Sequence, residues 1–340
     1  MIRLLWINYA SEPDGFEQRV AGQGVEIGIY RGPGDAGDMP PAEACRTAQG
    51  IIAVSAQHDA GPPERYPNCR IILRMGVGHD NIDGAAWGAA GVPLCNVPDY
   101  GTSEVADHAV ALMLALVRGT TQYHARLVRD PVSGWNWGGA PLVRRLRGAV
   151  FGIVGLGRIG LAAALRARAF GMELAFFDPY APNGLEIAVG ARRVRSLQEL
   201  MAIADVVSVH APLTEETRGM VGEAAFAAAK PGLVLVNTAR GPIVDLDAAC
   251  MALQEGKIGG LGIDVLPVEP PGRENRLLQA VSEGAPWAEG RVVLSPHAAF
   301  YSPDALADMR RKAIEVVLDY LRDGTLNNCV NTAKLREPRR

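Results

Sequence analysis

Short apolar runs alternate with helix-spaced segments along nearly the whole chain, a rhythm that predicts an α/β protein with parallel sheets. In the first hundred residues, Ile2 to Asn8, Val25 to Tyr30, Ile51 to Ser55, Ile71 to Met75 and Leu94 to Val97 read as strands between turns rich in glycine and proline. Gly32 to Pro41 is the most loop-like stretch and carries no assignable chemistry. A second series of apolar runs covers Val150 to Val154, Glu173 to Phe177, Asp205 to His210, Leu233 to Asn237, Leu261 to Asp264 and Val292 to Ser295. Its near-continuous apolar character is that of strands buried on both faces. Between the two series, Ser103 to about Arg118 reads as a linking helix, with Ser103 as N-cap and Glu104 in the first turn. Within Gln122 to Arg147, the stretch Arg129 to Gly139 suggests a loop, and its Trp135 and Trp137 either cover a core or contact a second subunit.

The second series opens with a recognisable chemistry. Val150 to Val154 runs into Gly155-Leu156-Gly157-Arg158-Ile159-Gly160, and Leu161 to Phe170 then has helical spacing, so strand, tight turn and helix follow one another. Gly155 allows the turn, Gly157 lets the backbone approach a pyrophosphate, and Gly160 lets helix and strand pack closely. The helix N-terminus offers unpaired N–H groups to the anion, and Gly171 ends the helix. A second apolar strand ends in Asp178-Pro179, where a carboxylate bonds the ribose hydroxyls of a dinucleotide. Glycines recur in ordinary turns, and the acid after the second strand makes the pattern specific. No arginine follows Asp178, which favours NAD over its 2′-phosphorylated form.

Each later strand is followed at once by a polar group: His210, then Asn237-Thr-Ala-Arg240, then Asp264, then Ser295-Pro-His297. In an open parallel sheet ligands bind outside the carboxyl ends of the strands, so the clamp, Asp178, Arg240, Asp264 and His297 are expected to face one crevice. Hydride transfer to a carbonyl needs a proton donor that works near neutral pH, and histidine suits it. A planar guanidinium binds an organic acid in bidentate fashion. A carboxylate beside the histidine orients its ring and favours the imidazolium form, and Glu269 is the natural candidate. Singly, the structural readings prevail: a histidine at a strand end is usually a hydrogen-bonded structural residue, an arginine there a solvated charge, Glu269 a loop carboxylate and Asp264 a turn brace. Behind a dinucleotide clamp the combination favours catalysis.

Composition narrows the class without changing this picture. At 340 residues the chain is long enough for two domains with cores of their own, and a net charge of −3 gives no pull toward nucleic acid or membranes. Five cysteines without close pairing argue against a disulfide framework or a zinc knuckle, so no metal is expected. The apolar start, Met1 to Tyr9, is followed by Ser-Glu-Pro-Asp and reads as a strand, not a signal peptide, which makes the cytoplasm the default.

Taken together, the chain resembles the D-isomer-specific 2-hydroxyacid dehydrogenases along nearly its whole length. The resemblance rests on Gly155 to Gly160, Val209-His-Ala-Pro-Leu-Thr214, Val236-Asn-Thr-Ala-Arg-Gly241 with Val244-Asp245, Asp264 with Glu269, and Ser295-Pro-His297. Arg74-Met-Gly-Val-Gly-His-Asp-Asn-Ile-Asp83, Cys95-Asn-Val-Pro98, Phe177-Asp-Pro-Tyr180 and His297-Ala-Ala-Phe-Tyr-Ser302 look closest to the branch of the carboxy-terminal binding protein corepressors. It implies two Rossmann-like or flavodoxin-like parallel-sheet domains with the active site in the cleft between them. Residues 1–101 plus 303–340 would form a discontinuous substrate domain and 102–302 the NAD-binding domain, in a homodimer formed through the latter. The resemblance makes Arg240, Glu269 and His297 a catalytic trio assisted by Asp264. Arg74, the loop Gly76-Val77-Gly78 and Phe300 would meet the substrate. Cofactor contacts are implied for Gly155, Leu156, Gly157, Arg158, Ile159 and Gly160, for Asp178 and Pro179, and for His210, Ala211, Pro212 and Thr217. Thr238, Ala239, Arg240, Asp264, His297 and Thr102 complete that set.

Two departures from the family's pattern stand out. Pro242 follows Arg240-Gly241 where many relatives have glycine, so the turn must accept a fixed φ and lose an N–H. Phe300 stands where the corepressor branch has tryptophan. The implied reaction is reversible reduction of a 2-oxo acid by NADH. The alternatives are an NADH-sensing, corepressor-like interaction protein with residual activity, and a phosphite- or formate-type dehydrogenase.

Overall fold

A computed structural model of the protein describes residues 1–7, 14–30, 40–54 and 61–337. Asn8, Ser55 and most of the stretch Gly32 to Pro41 lie outside these residues, as do the last three of the chain. The chain forms two compact units, Met1–Gly101 with Ser302–Arg340, and Thr102–Tyr301.

In the first unit β1 (Ile2–Ile7), β2 (Val25–Tyr30), β3 (Gly50–Ala53), β4 (Ile71–Arg74) and β5 (Leu94–Asn96) pair in the order β2-β1-β3-β4-β5, every pair parallel. Leu4, Trp6, Ile51, Ile72 and Leu94 are almost fully buried along this sheet. The helix Pro303–Asp323 packs against β3 and β4. Its start follows local rules: the Ser302 hydroxyl accepts from the Ala305 N–H at 2.9 Å, Pro303 occupies the first turn, and Gly324 ends it in the left-handed region.

The second unit holds β6 (Val150–Val154), β7 (Glu173–Phe177), β8 (Arg192–Arg193), β9 (Val206–Val209), β10 (Val234–Asn237), β11 (Gly260–Ile263) and β12 (Val292–Leu294) in the order β12-β11-β10-β9-β6-β7-β8, again all parallel. Chain order runs outward in both directions from the β6/β9 pair, the switch point at which such sheets open a crevice. β9 and β10 are buried at every position, as their apolar runs predict, and Phe151 and Phe176 are among the largest fully buried side chains. Truncating Phe151 to alanine would cost about 3–5 kcal/mol.

One expectation is corrected. The helix begins at Thr102 and ends at Val117, so Ser103 lies inside its first turn and caps nothing. Its position is set by its buried face, Val105, Ala109, Leu112, Met113 and Leu116, which packs on the helix Arg158–Ala169 and on β10 and β11. Thr120–Arg129 forms a helix that the sequence reading did not name and buries none of its residues, and the stretch from Asp130 to Gly139 beyond it has neither helix nor strand, in keeping with the loop expected over Arg129 to Gly139. Trp135 and Trp137, 83% and 93% exposed, cover no core.

Candidate active site

Because every pairing in the second unit is parallel, the ends of β6, β7, β9, β10, β11 and β12 lie along one edge of the sheet. Gly155 follows β6 with φ +88°, and a Cβ there would stand 2.8 Å from the Ala211 nitrogen, so both conformation and the close pass of the strand after β9 require glycine. Gly157 is different: a Cβ on it would meet no atom within 4 Å. It is the N-cap of the helix Arg158–Ala169 and no side chain caps that end, which leaves space and backbone donors for an anion. Asp178 sits beside this turn. Its Oδ2 accepts from the Leu156 N–H at 2.9 Å, and its Oδ1 accepts from the N–H groups of Tyr180 and Ala181 at 2.9 and 3.1 Å. These residues fit the pyrophosphate and ribose of a dinucleotide.

The neighbouring strand ends complete the edge. His210 shares a 2.8 Å hydrogen bond with Ser208 through Nε2, and burial pushes its pKa down to about 4, so the ring is neutral at physiological pH. Thr217 donates its hydroxyl to the Pro212 carbonyl at 2.6 Å and closes the loop after Ala211. The buried Thr238 hydroxyl, just after β10, has no hydrogen-bond partner among the described residues, an orphan that a bound cofactor could satisfy. Asn237, almost fully buried, shapes the next turn by accepting from the Ala239 N–H at 3.0 Å and donating to the Arg240 carbonyl at 2.9 Å. Thr102 opens its helix at the start of this unit.

Arg240, Glu269 and His297 come together from the loops that follow β10, β11 and β12. Gly241 is the hinge of this arrangement: a Cβ there would fall 2.0 Å from the Leu266 carbonyl carbon, so the arginine and glutamate loops pack backbone against backbone. Pro242 fits because the chain enters a 3₁₀ turn, Gly241–Ile243, whose first residues need no N–H. Half-buried Arg240 donates through Nη1 to the Ala239 carbonyl at 2.8 Å. Glu269 accepts from the Leu266 N–H at Oε1, 2.7 Å, and from His297 Nδ1 at Oε2, 2.6 Å. Burial works against the Glu269 carboxylate. The hydrogen bonds from His297 and Leu266, with the charges of His297 and Arg240, outweigh it and hold its pKa below the usual value. The Phe300 ring meets the His297 ring edge to face, centroids 6.1 Å apart.

His297 has φ +52°, a left-handed conformation uncommon outside glycine and asparagine. Asp264 holds it there. Its carbonyl accepts from the His297 N–H at 2.7 Å, and its buried carboxylate accepts from the N–H groups of Ala298 and Ala299 at 2.9 and 3.1 Å and from the Ser295 hydroxyl at 2.6 Å. The Ser295 proton being given to Asp264, His108 Nε2 donates to the Ser295 oxygen at 2.8 Å. The hydrogen bonds that the Asp264 carboxylate accepts all come from the loop bearing His297, with the His108 ring 3.6 Å away behind it, which makes Asp264 a positioning residue. In the first unit, and considered within it, Arg74 donates to the Met75 carbonyl at 2.8 Å. The carbonyls of Gly76 and Val77 accept from the Val97 N–H and from Asn96, at 3.1 and 2.7 Å.

The model of the D-isomer specific 2-hydroxyacid dehydrogenase NAD binding domain matches residues 110–299, more than half of the chain. The chain belongs to this family. Dehydrogenase relatives include a glyoxylate reductase of Korarchaeum cryptofilum, 36% identical over 285 residues and covering 82% of each chain. Among solved structures, the D-lactate dehydrogenase of Aquifex aeolicus, complexed with NAD and lactic acid, superposes with TM-score 0.77 at 28% identity, covering 94% of this chain and 96% of that one. An NADPH-dependent glyoxylate/hydroxypyruvate reductase of Sinorhizobium meliloti, in complex with NADP and malonate, does so with TM-score 0.80 at 28% identity, covering 100% and 99%. The dehydrogenase is thus an α/β oxidoreductase with an NAD-binding domain. What the match establishes is the family. Sequence reasoning passed over Asn237, Ser295 and His108 as site residues. Ser295 lay in the motif that ends in His297, and His108 was visible as a lone ring on an apolar helix.

Proposed function

We propose that this dehydrogenase reduces a 2-oxo acid with NADH, reversibly, with Arg240, His297 and Glu269 as the groups that act on the substrate. The observation that carries the reading is the 2.6 Å His297–Glu269 pair on a loop held by a buried aspartate. When bound, NADH supplies a hydride from its nicotinamide C4 to the carbonyl carbon. Arg240 binds the substrate carboxylate with its planar fork and polarises the carbonyl. Because Nδ1 of His297 is engaged by Glu269, Nε2 is the ring nitrogen left to the substrate: as imidazolium it gives its proton to the carbonyl oxygen, and in the oxidative direction the neutral ring takes that proton back at Nε2. Within the first unit, the carbonyls of the Gly76–Gly78 loop are engaged, which suits its N–H groups for a carboxylate.

Cofactor choice follows from Asp178, whose charge repels a 2′-phosphate. Arg193, the nearby cation, is engaged by Glu186 at 2.8 Å and by the carbonyls of Ala181 and Pro182 at 3.0 and 2.7 Å. Following NADH absorbance against glyoxylate, hydroxypyruvate, phenylpyruvate, branched and thioether 2-oxo acids tests the reading. Rapid turnover of one of them is expected. Tight NADH binding with slow turnover of all would favour a nucleotide sensor instead.

We assign Trp135 and Trp137, with exposed Val128 and Val132, to a contact with a second copy of the chain, since so much apolar surface on one short stretch marks an interface. Sedimentation should show a dimer that Trp135→Ala with Trp137→Ala converts to monomer; an unchanged dimer would refute the assignment. Five thiols, none in a disulfide, fit a reducing compartment, and we place the enzyme in the cytoplasm.

A further inference from the structure

The end of the chain is laced onto the edge of the first unit's sheet, and two cysteines meet there. β5 is an outer strand, and the segment around Cys329 lies against it in antiparallel fashion: the Asn96 N–H donates to the Asn328 carbonyl at 3.2 Å, and the Val330 N–H donates to the Leu94 carbonyl at 2.8 Å. These two bonds flank Cys95 and Cys329 without joining them, so the cysteines form a non-hydrogen-bonded pair. At such pairs the Cα atoms stand about 4.5 Å apart with side chains on one face. That separation lies within the range of roughly 4.4–6.8 Å that a disulfide bridges. The Cys329 thiol donates to the Asn331 side-chain oxygen at 3.3 Å, and its sulfur faces Cys95 across the pair. Asn331 fixes the segment from the other side, accepting from the Leu94 N–H at 2.8 Å and donating to the carbonyls of Gly84 and Val92 at 3.1 and 3.3 Å.

All five cysteines lie among the described residues, and of these Cys329 is partly exposed while Cys45, Cys69, Cys95 and Cys250 are buried. We propose that Cys95 and Cys329 are a reversible modification site, a dithiol that peroxide converts to a cross-strand disulfide, with Cys329 as the attacking thiol and Cys95 as the resolving one. The hydrogen bond from Cys95 and those from neighbouring backbone N–H groups favour the Cys329 thiolate and hold its pKa below the usual thiol range, whereas Cys95 is pushed up and keeps its proton. In the first step the Cys329 thiolate displaces hydroxide from hydrogen peroxide, and its sulfur becomes a sulfenic acid. In the second, the Cys95 sulfur attacks that sulfur, the S–S bond forms, and the departing hydroxide leaves as water with the Cys95 proton. The two thiols are oxidised, peroxide is reduced, and two waters result. A thiol reductant reverses the change.

The bond would clamp the chain terminus to the strand that carries Asn96 and Val97, the residues that hold the carbonyls of Val77 and Gly76. Any effect on turnover through that loop rests on its assignment to the substrate, and the test below does not depend on it.

Full-length reduced protein is treated with stoichiometric hydrogen peroxide, alkylated, and analysed by intact mass and by peptide mapping without reductant. The expected result is a loss of about 2 Da, the two hydrogens of one disulfide, with a Cys95–Cys329 linked peptide that dithiothreitol abolishes. Cys329→Ser should abolish the link, and Cys95→Ser should stop the reaction at an oxygenated Cys329. The midpoint of thermal unfolding should rise on oxidation of the native protein and stay constant in Cys329→Ser, because the cross-link constrains the unfolded chain. Oxygen addition to Cys329 in the native protein without a linked peptide, or a link to Cys45, Cys69 or Cys250, overturns the proposal.

Discussion

Asp178 and Asp264 stand at the carboxyl ends of two strands in the same parallel sheet, and each carboxylate accepts three hydrogen bonds from its own unit. They are nevertheless opposite devices. Asp178 accepts backbone N–H groups at a half-exposed turn and shapes the mouth of the glycine clamp, keeping solvent access through which ribose hydroxyls can reach it. The Asp264 side chain is closed to solvent, its hydrogen bonds all go to the loop that carries His297, and the His108 ring stands 3.6 Å from it. A carboxylate at an open strand end recognises, whereas one sealed beneath a loop builds the geometry that another residue uses.

The largest test of this contrast concerns the group that Asp264 serves. His297→Ala should lower kcat by roughly 10²–10⁴-fold with NADH affinity nearly unchanged, the usual worth of a general acid–base. A loss below about tenfold would move the proton chemistry elsewhere.

Next comes the pair itself. Asp264→Ala leaves buried donors on Ser295, Ala298 and Ala299 without an acceptor. A single such loss costs about 1–3 kcal/mol, so chemical denaturation should show at least that much destabilisation. Displacement of His297 should lower kcat about 10²-fold. Asp178→Ala should cost about 1 kcal/mol or less, since water replaces its oxygens, and should instead shrink the preference for NADH over NADPH in kcat/KM about tenfold. Equal losses of stability in the two variants would erase the distinction drawn above.

The smallest effect is one of pH. The folded value of His210 lies near 4, below its ordinary 6.5, so the unfolded chain binds more protons between these limits. Stability is therefore full above about 6.5 and falls as the pH drops toward about 4. The half-buried Glu269 adds to the acid side, because a carboxylate held below its usual value loses its contribution as the pH falls through the folded value. Thermal unfolding followed across this range should show the decline, and His210→Asn should flatten its upper part; an unflattened curve would sink the assignment.

The order of elements was readable before the fold was known, because strands buried on both faces must be apolar along their length and the glycine clamp must stand between a strand and a helix. β6, β7 and β10 fall within a residue of where their apolar runs place them. Ser103 misled because a capping residue is a local signal, whereas the start of that helix is set by packing on β10 and β11. Thr120–Arg129 was missed for another reason: it is a short, mostly polar segment with no side-chain cap at its N-terminal Gly119 and no fully buried residue, so no local signal marks where it starts.

By itself, then, the sequence determined the alternation that makes parallel sheets, the clamp with its acid, and the residue types at each strand end, all of which depend on short-range pattern. Only the tertiary structure decided which strand-end acid stays open to solvent and which is sealed beneath a loop, that Gly241 brings the arginine and glutamate loops into contact, that Ser295 and His108 stand behind Asp264, and that Cys95 meets Cys329. Those facts are contacts between residues far apart along the chain. They exist because buried polar groups must find partners and close-packed backbones admit few arrangements, and neither requirement leaves a mark on local spacing.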